Sequence, residues 1–183
     1  MSHRIVFIDS HIADHQSLMA QLPENTEAVL LDAERDGIEQ ILSALLQTKP
    51  NQTKPNQYSA IDIITHGSPG TITLGSGVLN NDNLDDYAEQ LAQIGQYLSE
   101  DGDILLYGCE VAKGQIGQIF IERLAQLTQA HVAASTTLTG ASELNADWRL
   151  QAYLGSIQTE ALQFAYDGVL AIIDGTPDND TLP

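Results

Sequence analysis

Hydrophobic and polar residues follow two patterns that alternate along the chain. Short continuous runs of Ile, Val, Leu and Ala are separated by longer segments in which apolar residues recur every three or four positions. Continuous apolar runs are typical of strands covered on both faces, and the wider spacing is typical of amphipathic helices. The alternation therefore predicts an α/β fold in which parallel strands are joined by right-handed helical crossovers.

The pattern predicts strands at residues 4–8, 27–31, 61–64, 104–107 and 131–134. Helices are predicted between them, at residues 11–22, 35–46, 81–98 and 115–129. Residues 71–79 alternate around Gly-Ser-Gly, which predicts a small hairpin. Residues 147–154 and 156–166 fit either a closing hairpin or an extended arm. We expect all of these elements to form one domain over residues 1–170.

Two segments lie outside this pattern. Residues 48–57 contain two tandem copies of Thr-Lys-Pro-Asn-Gln and no apolar residue, which predicts an exposed loop that tolerates deletion. Residues 171–183 are expected to form an acidic tail.

The charge balance narrows the class of partner. The chain carries 25 acidic side chains against 7 Lys and Arg, which gives a net charge of -18. Nucleic acid and anionic membrane surfaces attract basic patches, so we expect neither as a partner.

No apolar run approaches about 20 residues, and the first residues lack a basic region followed by a long apolar core. We therefore expect no membrane insertion and no N-terminal signal peptide.

Two predicted strands end in residues that carry chemistry. His66 and Gly67 follow the third strand, and Gly108 and Cys109 follow the fourth. Ligands of parallel sheets bind beyond the carboxyl ends of the strands. If these two strands are neighbours, the imidazole and the only thiol of the chain lie across one crevice.

A thiol attacks as thiolate, and a histidine or a helix N-terminus lowers its pKa. Both a histidine, His66, and the N-terminus of the following helix are expected near Cys109. Gly67 and Gly108 allow the backbone to approach a substrate closely, with nearby N–H groups as candidate oxyanion donors. A buried structural cysteine and a turn histidine fit the same residues.

The order of these motifs, His-Gly after one strand and Gly-Cys after the next, resembles the caspase-like cysteine peptidases. That resemblance implies a caspase-like three-layer sandwich with a mostly parallel central sheet and helices on both faces. It also implies that His66 is the general base or acid and that Cys109 is the nucleophile. The two strands would be the third and fourth of the sheet, which agrees with the order counted above.

The same resemblance implies that the loop after the fifth strand and a following tryptophan segment help to line the substrate pocket. The candidates are Ser135, Thr136, Asp147 and Trp148, together with Glu110 beside the thiol. If Asp147 or Glu110 faced the pocket, charge pairing would favour cleavage after Lys or Arg. By residue type alone, a core tryptophan and a turn-capping aspartate are the commoner interpretation.

A closer likeness covers residues 5–150 and is carried by the motifs FIDS, THGSPG, LYGCEVA, VAAST and ADW. These motifs resemble a bacterial domain found near the start of very large surface or secreted proteins with adhesin-like or calcium-binding repeats. The likeness implies a secreted or cell-surface location as part of a larger protein.

Residues 174–183 resemble the opening of an RTX-type calcium repeat, although a disordered acidic tail fits them as well. Only a fragment of one repeat is present, so calcium binding would require further repeats downstream. The spacing of His3, His11, His15 and His131 does not suggest zinc, and we take these histidines as surface or structural residues. We expect neither a metal nor a cofactor in the domain.

These observations predict a cysteine peptidase that uses His66 and Cys109 on a peptide or protein substrate. The substrate would be a segment of its own parent chain or of a partner. The alternatives are a catalytically inactive module of the same fold, serving adhesion or capping, and an acyltransferase or thioesterase with the same dyad.

Overall fold

A computed structural model of the chain describes residues 3–24, 26–47 and 58–171. The predicted loop of residues 48–57 and nearly all of the predicted tail lie outside this part. The strands are β1 Arg4–Asp9, β2 Thr26–Leu31, β3 Tyr58–Ile64, β4 Gly67–Ser68, β5 Thr71–Leu74, β6 Gly77–Asn80, β7 Leu98–Tyr107, β8 His131–Ala134 and β9 Ala152–Leu154. The α-helices are α1 His15–Ala20, α2 Gly37–Gln47, α3 Ala88–Gly95 and α4 Gly114–Thr128.

The central sheet has six strands in the order β2-β1-β3-β7-β8-β9. All neighbouring pairs are parallel except β8 and β9, which are antiparallel. The predicted α/β class with a mostly parallel sheet is therefore confirmed. Strands β4, β5 and β6 form a separate small antiparallel sheet, which contains the predicted hairpin.

Two apolar clusters cover the two faces of the central sheet. On one face, α2, α3 and α4 contribute buried residues such as Ile41, Leu91 and Phe120. On the other face, Leu18 of α1 packs together with residues from the segment 144–171. The second face thus has one short helix and a long irregular segment, which we call the arm and define as residues 156–171. This outcome matches the extended-arm alternative.

Two predicted helices are shorter than the sequence indicated. Helix α1 covers only His15–Ala20 and is preceded by Asp14 in the left-handed region, with φ 57°. Helix α3 covers only Ala88–Gly95. A 3-10 helix at Leu84–Tyr87 comes directly before it. Before that, the side chain of Asn83 donates to the carbonyl of Val78 at 2.6 Å and accepts from the N–H of Asn80 at 2.9 Å. Asparagine side chains of this kind compete with helical hydrogen bonds, which explains why no helical structure begins at residue 81.

Strand β7 is longer than the predicted strand at residues 104–107. Its first half is mostly polar and therefore lacks the continuous apolar run that predicted the other strands. Asp103 lies within β7 and is fully buried. Its carboxylate accepts the N–H groups of Gln158 at 2.9 Å and Thr159 at 2.8 Å, and these hydrogen bonds compensate for the loss of contact with water. The hydroxyl of Tyr107 accepts the N–H of Leu162 at 2.9 Å. Strand β7 thereby fixes the arm against the sheet.

Among the described residues, no helix combines the length and apolar character needed to cross a bilayer.

Candidate functional site

The ends of β3 and β7 lie side by side. Ile64 is in register with Tyr107, and the N–H of Thr65 donates to the carbonyl of Tyr107 at 2.9 Å. A Cβ atom on Gly67 would lie 3.0 Å from the carbonyl oxygen of Cys109, so the two backbones meet without room for a side chain between them. The segments that carry His66 and Cys109 therefore lie side by side at the carboxyl end of the central sheet, as predicted.

The thiol of Cys109 is buried and held by the backbone of Thr139. The N–H of Thr139 donates to Sγ at 3.2 Å, and the thiol lies 3.5 Å from the carbonyl oxygen of the same residue. Burial raises the pKa of the Cys109 thiol to about 11, against the opposing effect of backbone contacts with Thr139 and Leu170. The sequence predicted that a nearby helix N-terminus and a histidine would lower the pKa of this thiol. Helix α4 begins only at Gly114, five residues after Cys109, and burial instead raises the pKa.

The ring of His66 contacts the loop that follows β1. Its Nε2 lies 3.4 Å from the carbonyl oxygen of His11, and only 7% of the residue is exposed. The buried carboxylate of Asp9 in turn accepts the backbone N–H of His11 at 2.8 Å and contacts its ring Nδ1 at 2.7 Å. Asp9 also accepts the N–H of Gly75 at 2.8 Å, which joins the loop to the small sheet. Sequence reasoning treated His11 only as a surface or structural residue.

Two N–H groups at the strand ends converge on one carbonyl oxygen of the arm. The carbonyl of Leu170 accepts the N–H of Gly67 at 2.8 Å and the N–H of Cys109 at 3.2 Å. The second donor is thus the cysteine itself, one residue beyond Gly108. The role of Gly108 is steric, since a Cβ there would lie 3.0 Å from the carbonyl oxygen of Thr65.

The arm residues before this carbonyl pair with the loop after β8 as a short extended strand. The N–H of Leu170 donates to the carbonyl of Thr139 at 2.9 Å, and the carbonyl of Gly168 accepts the N–H of Ala141 at 2.8 Å. Val169 and Gly140 form an antiparallel bridge between these two bonds. The arm therefore lies across the strand ends as a bound peptide would, by β-strand addition.

The side chains of Val169 and Leu170 are fully buried. They belong to the same apolar cluster as Cys109, with Ile8 from β1 and Leu18 from α1. The surface that receives the side chain of Leu170 is therefore apolar. Sequence reasoning did not identify Thr139 or Leu170 as site residues, because a threonine and a leucine carry no distinctive local signal.

Three predicted pocket residues build the turns around the thiol. Glu110 adopts a left-handed conformation, with φ 58°, and its carboxylate forms an ion pair with Lys113. Ser135 is buried, and its hydroxyl donates to the carbonyl of Thr137 at 2.8 Å. Thr136 donates its N–H to the side chain of Gln151 at 2.9 Å. The contacts of Ser135 and Thr136 fix the loop after β8, which supplies the carbonyl and N–H groups that hold the arm.

The other two predicted pocket residues lie along a surface groove beside the arm. Asp147 accepts the N–H of Arg149 at 3.0 Å, which is the turn-capping arrangement. Trp148 packs edge-on against Phe164, with ring centroids 4.8 Å apart, and is 7% exposed. Both residues line a groove of about 510 Å³ that continues to Gly140 and Asp167. Trp148 is thus a core residue that also forms part of a groove wall.

Within residues 3–24, 26–47 and 58–171, no three or more His, Cys, Asp and Glu side chains are grouped in a way that could hold a metal ion. His3 instead contacts Glu27 at 2.9 Å, and His131 contacts Asp103 at 3.3 Å.

Comparison with curated proteins gives no match. A comparison with protein families gives a match over residues 5–170, to the family described as a domain of unknown function, DUF4347. This match begins within β1, ends at Leu170 and includes both strand ends of the candidate site. The chain therefore belongs to the DUF4347 family.

Proposed function

We propose that this domain is a caspase-like cysteine peptidase in which Cys109 is the nucleophile and His66 is the general base and acid. The observation that carries the proposal is the convergence of the Gly67 and Cys109 N–H groups on a single peptide carbonyl, that of Leu170, next to the only thiol of the chain. Two N–H donors at the position of a reacting carbonyl oxygen stabilise the oxyanion of an acyl-transfer transition state. The substrate is a peptide segment of the parent chain or of a partner in a larger exported bacterial protein.

The backbone around the site supports a peptide substrate rather than a small molecule. The loop after β8 pairs with an extended segment through Thr139 and Ala141, and it recognises main-chain groups that any peptide carries. The donors at Gly67 and Cys109 are also main-chain groups, so their position depends on the sheet and not on side-chain rotamers. Such rigid placement is what electrostatic stabilisation of a transition state requires.

His66 is the residue that would move protons. Its contact with the His11 carbonyl, supported by Asp9, orients the ring in the way that a third group orients a catalytic base. In the reaction, His66 takes the thiol proton and then delivers it to the leaving amine. Neither a metal nor a cofactor enters this chemistry. Calcium would act only through repeats downstream of the domain.

One observation favours a second candidate, a catalytically inactive module that keeps the fold for adhesion or capping. Burial raises the pKa of the Cys109 thiol to about 11, which leaves almost all of it protonated at neutral pH. In the peptidase proposal the thiol gives up this proton to His66 as the sulfur attacks the peptide carbonyl. In the alternative the thiol keeps its proton permanently. An acyltransferase or thioesterase with the same dyad is a third possibility, and thioester substrates would reveal it.

Peptide hydrolysis separates these candidates. The purified chain is incubated with a mixture of unstructured peptides, and new amino termini are identified by mass spectrometry. We expect termini that arise with the wild-type chain and with His15→Gln, a control outside the site. We expect none with Cys109→Ala or His66→Gln.

An identical set of termini from Cys109→Ala would overturn the proposal, and so would the absence of any cleavage by the wild-type chain. Hydrolysis or transfer of thioesters without any peptide cleavage would instead favour the third candidate.

A further inference from the structure

We propose that the peptide bond between Leu170 and Ala171 is itself a substrate of this site, so that the domain cuts its own chain after Leu170. This inference rests on the proposed function and adds the identity of one cleaved bond. The bond is selected because the carbonyl oxygen of Leu170 is the one that accepts both N–H groups of the strand ends, at 2.8 and 3.2 Å.

Three further contacts set this register. Leu170 donates its N–H to Thr139, Gly168 accepts from Ala141, and Ala171 forms a parallel bridge with Gly67. The first two hold the residues before the bond, and the third holds the residue after it. A peptide that is fixed on both sides of one bond, with its carbonyl between two donors, has the alignment of a substrate.

Gly140 is required for this alignment. A Cβ atom at this position would lie 2.2 Å from the carbonyl oxygen of Gly168, and its φ of 141° is one that other residues rarely adopt. The loop after β8 can therefore approach the arm closely only with glycine here. The close approach brings the Ala141 N–H within 2.8 Å of the Gly168 carbonyl.

The chemical class of the residue before the cut follows from the cluster around Leu170. The side chain is fully buried in the apolar cluster that includes Cys109 and Leu18. The carboxylate of Glu110, one candidate for recognising a basic residue, is engaged with Lys113. The site therefore takes an aliphatic residue of about the size of leucine rather than Lys or Arg.

The reaction needs only water as a co-reactant. The Cys109 thiol passes its proton to His66, and the sulfur forms a bond to the carbonyl carbon of Leu170. The Leu170–Ala171 C–N bond then breaks as His66 gives the proton to the amine of Ala171, leaving a thioester between Cys109 and Leu170. Water attacks this thioester with His66 as base, which releases the carboxylate of Leu170 and restores the thiol.

The arm makes this an intramolecular reaction. Its anchors on β7, at Asp103 and Tyr107, lie upstream of the bond and hold Leu170 in place. Positioning of this kind replaces a bimolecular encounter, which favours the chain's own bond over an added peptide. Residues 1–170 would remain folded after the cut, and the peptide that begins at Ala171 would be released.

The test follows the intact mass of the purified chain of residues 1–183 at neutral pH. We expect two products, one that ends at Leu170 and one that begins at Ala171. In ¹⁸O-labelled water the new carboxylate carries one labelled oxygen from a single hydrolysis. With hydroxylamine present, the thioester is trapped as the hydroxamate of Leu170.

Matched variants define the chemistry and the specificity. Cys109→Ala is expected to stay intact, as is Ala171→Pro, whose thermal unfolding reports whether the fold is retained. Leu170→Met should be cut within about 3-fold of the wild-type rate, and Leu170→Gly at least 10-fold more slowly. Equal rates for these two variants would overturn the aliphatic specificity.

The outcomes separate this inference from the proposed function. If the chain hydrolyses added peptides but leaves the Leu170–Ala171 bond intact, the inference fails and Leu170 is an inhibitory contact, while the peptidase proposal stands. If it neither cuts itself nor cleaves peptides, both fail. Cleavage at Leu170 that persists in Cys109→Ala would also overturn the inference.

Discussion

Thr139 connects the thiol of Cys109 to the arm. Its N–H donates to the sulfur at 3.2 Å, its carbonyl lies 3.5 Å from the same sulfur, and that carbonyl also accepts the N–H of Leu170 at 2.9 Å. One residue of the loop after β8 thus contacts both the candidate nucleophile and the peptide that covers it. Any movement of the arm is expected to change the environment of the thiol.

The first prediction concerns the reactivity of Cys109 in Ala171→Pro, the variant that keeps the thiol and is expected to stay uncut. With the pKa of the thiol raised to about 11, alkylation by iodoacetamide should be slow at pH 7 and should accelerate up to pH 9.5 without a plateau. The same chain unfolded in denaturant should react on the order of 100-fold faster at pH 7, from the difference in thiolate fraction. The measurement is the alkylation rate by mass spectrometry. A plateau below pH 8 in the folded chain would contradict the prediction.

The second prediction concerns stability at alkaline pH. Burial raises the pKa of Cys109 from 9.0 to about 11, so the unfolded chain loses the thiol proton first as pH rises. The stabilisation from this group is fully present below pH 9 and is lost between pH 9 and 11. The free energy of unfolding should therefore fall more steeply over this interval in Ala171→Pro, which keeps the thiol and is expected to stay uncut, than in Cys109→Ala. Tyr107, whose pKa is also raised by burial, contributes equally to both chains. Parallel curves from chemical denaturation would contradict this.

The third prediction tests the close contact of the two strand ends. A Cβ atom in Gly67→Ala would lie 2.6 Å from Cγ2 of Val111 and 3.0 Å from the carbonyl of Cys109, which forces the strand ends apart. We expect a loss of about 1–3 kcal/mol in the free energy of unfolding and at least a 10-fold loss of self-cleavage. The control is Gly77→Ala, where the nearest atom would be 3.6 Å away. Equal effects of the two substitutions would show that the contact does not matter.

The fourth prediction concerns the ion pair of Arg4 and Asp62 beneath the arm. Arg4 binds both carboxylate oxygens of Asp62 at 2.7 Å and also donates to the carbonyl of Glu160 at 2.9 Å. Burial raises the pKa of Asp62, and Arg4 opposes that rise. Arg4→Met leaves a buried carboxylate without its cation, so we expect a loss of about 2–4 kcal/mol at pH 8.

That loss should be smaller at pH 5, because the pKa of Asp62 rises further without Arg4 and the acid takes up a proton. The control is Arg149→Met at an exposed position, with an expected change within about 0.5 kcal/mol. A loss from Arg4→Met that does not depend on pH would contradict the assignment to the buried charge. The measurement is urea unfolding at both pH values.

The fifth prediction uses the only tryptophan of the chain as a reporter of the arm. Trp148 is packed against Phe164 and Tyr166 of the arm, so its fluorescence should lie at shorter wavelength than in the unfolded chain. Phe164→Ala should move the emission maximum part of the way to the unfolded value. Tyr153→Ala, at an exposed site, should leave it unchanged. An unshifted maximum in Phe164→Ala would indicate that the arm does not shield the indole.

Sequence reasoning was most accurate where the pattern was purely local. The strand at His131–Ala134 and the helix at Gly114–Thr128 were predicted within one residue, because apolar spacing alone defines them. Predictions were wrong where side chains bonded to nearby backbone, as Asn83 does before α3. They were also incomplete where a buried polar residue, Asp103, interrupted the apolar run of β7.

The sequence by itself determined the α/β class, the strands that carry His66 and Cys109, and the glycines beside them, because each of these features depends on a short run of contiguous residues. Only the tertiary structure decided what those groups meet. The raised pKa of the thiol comes from burial by distant segments, and the hydrogen bonds of Gly67 and Cys109 to Leu170 join residues far apart in the chain. Contacts of this kind depend on how the arm crosses the sheet, which no local pattern of residues specifies.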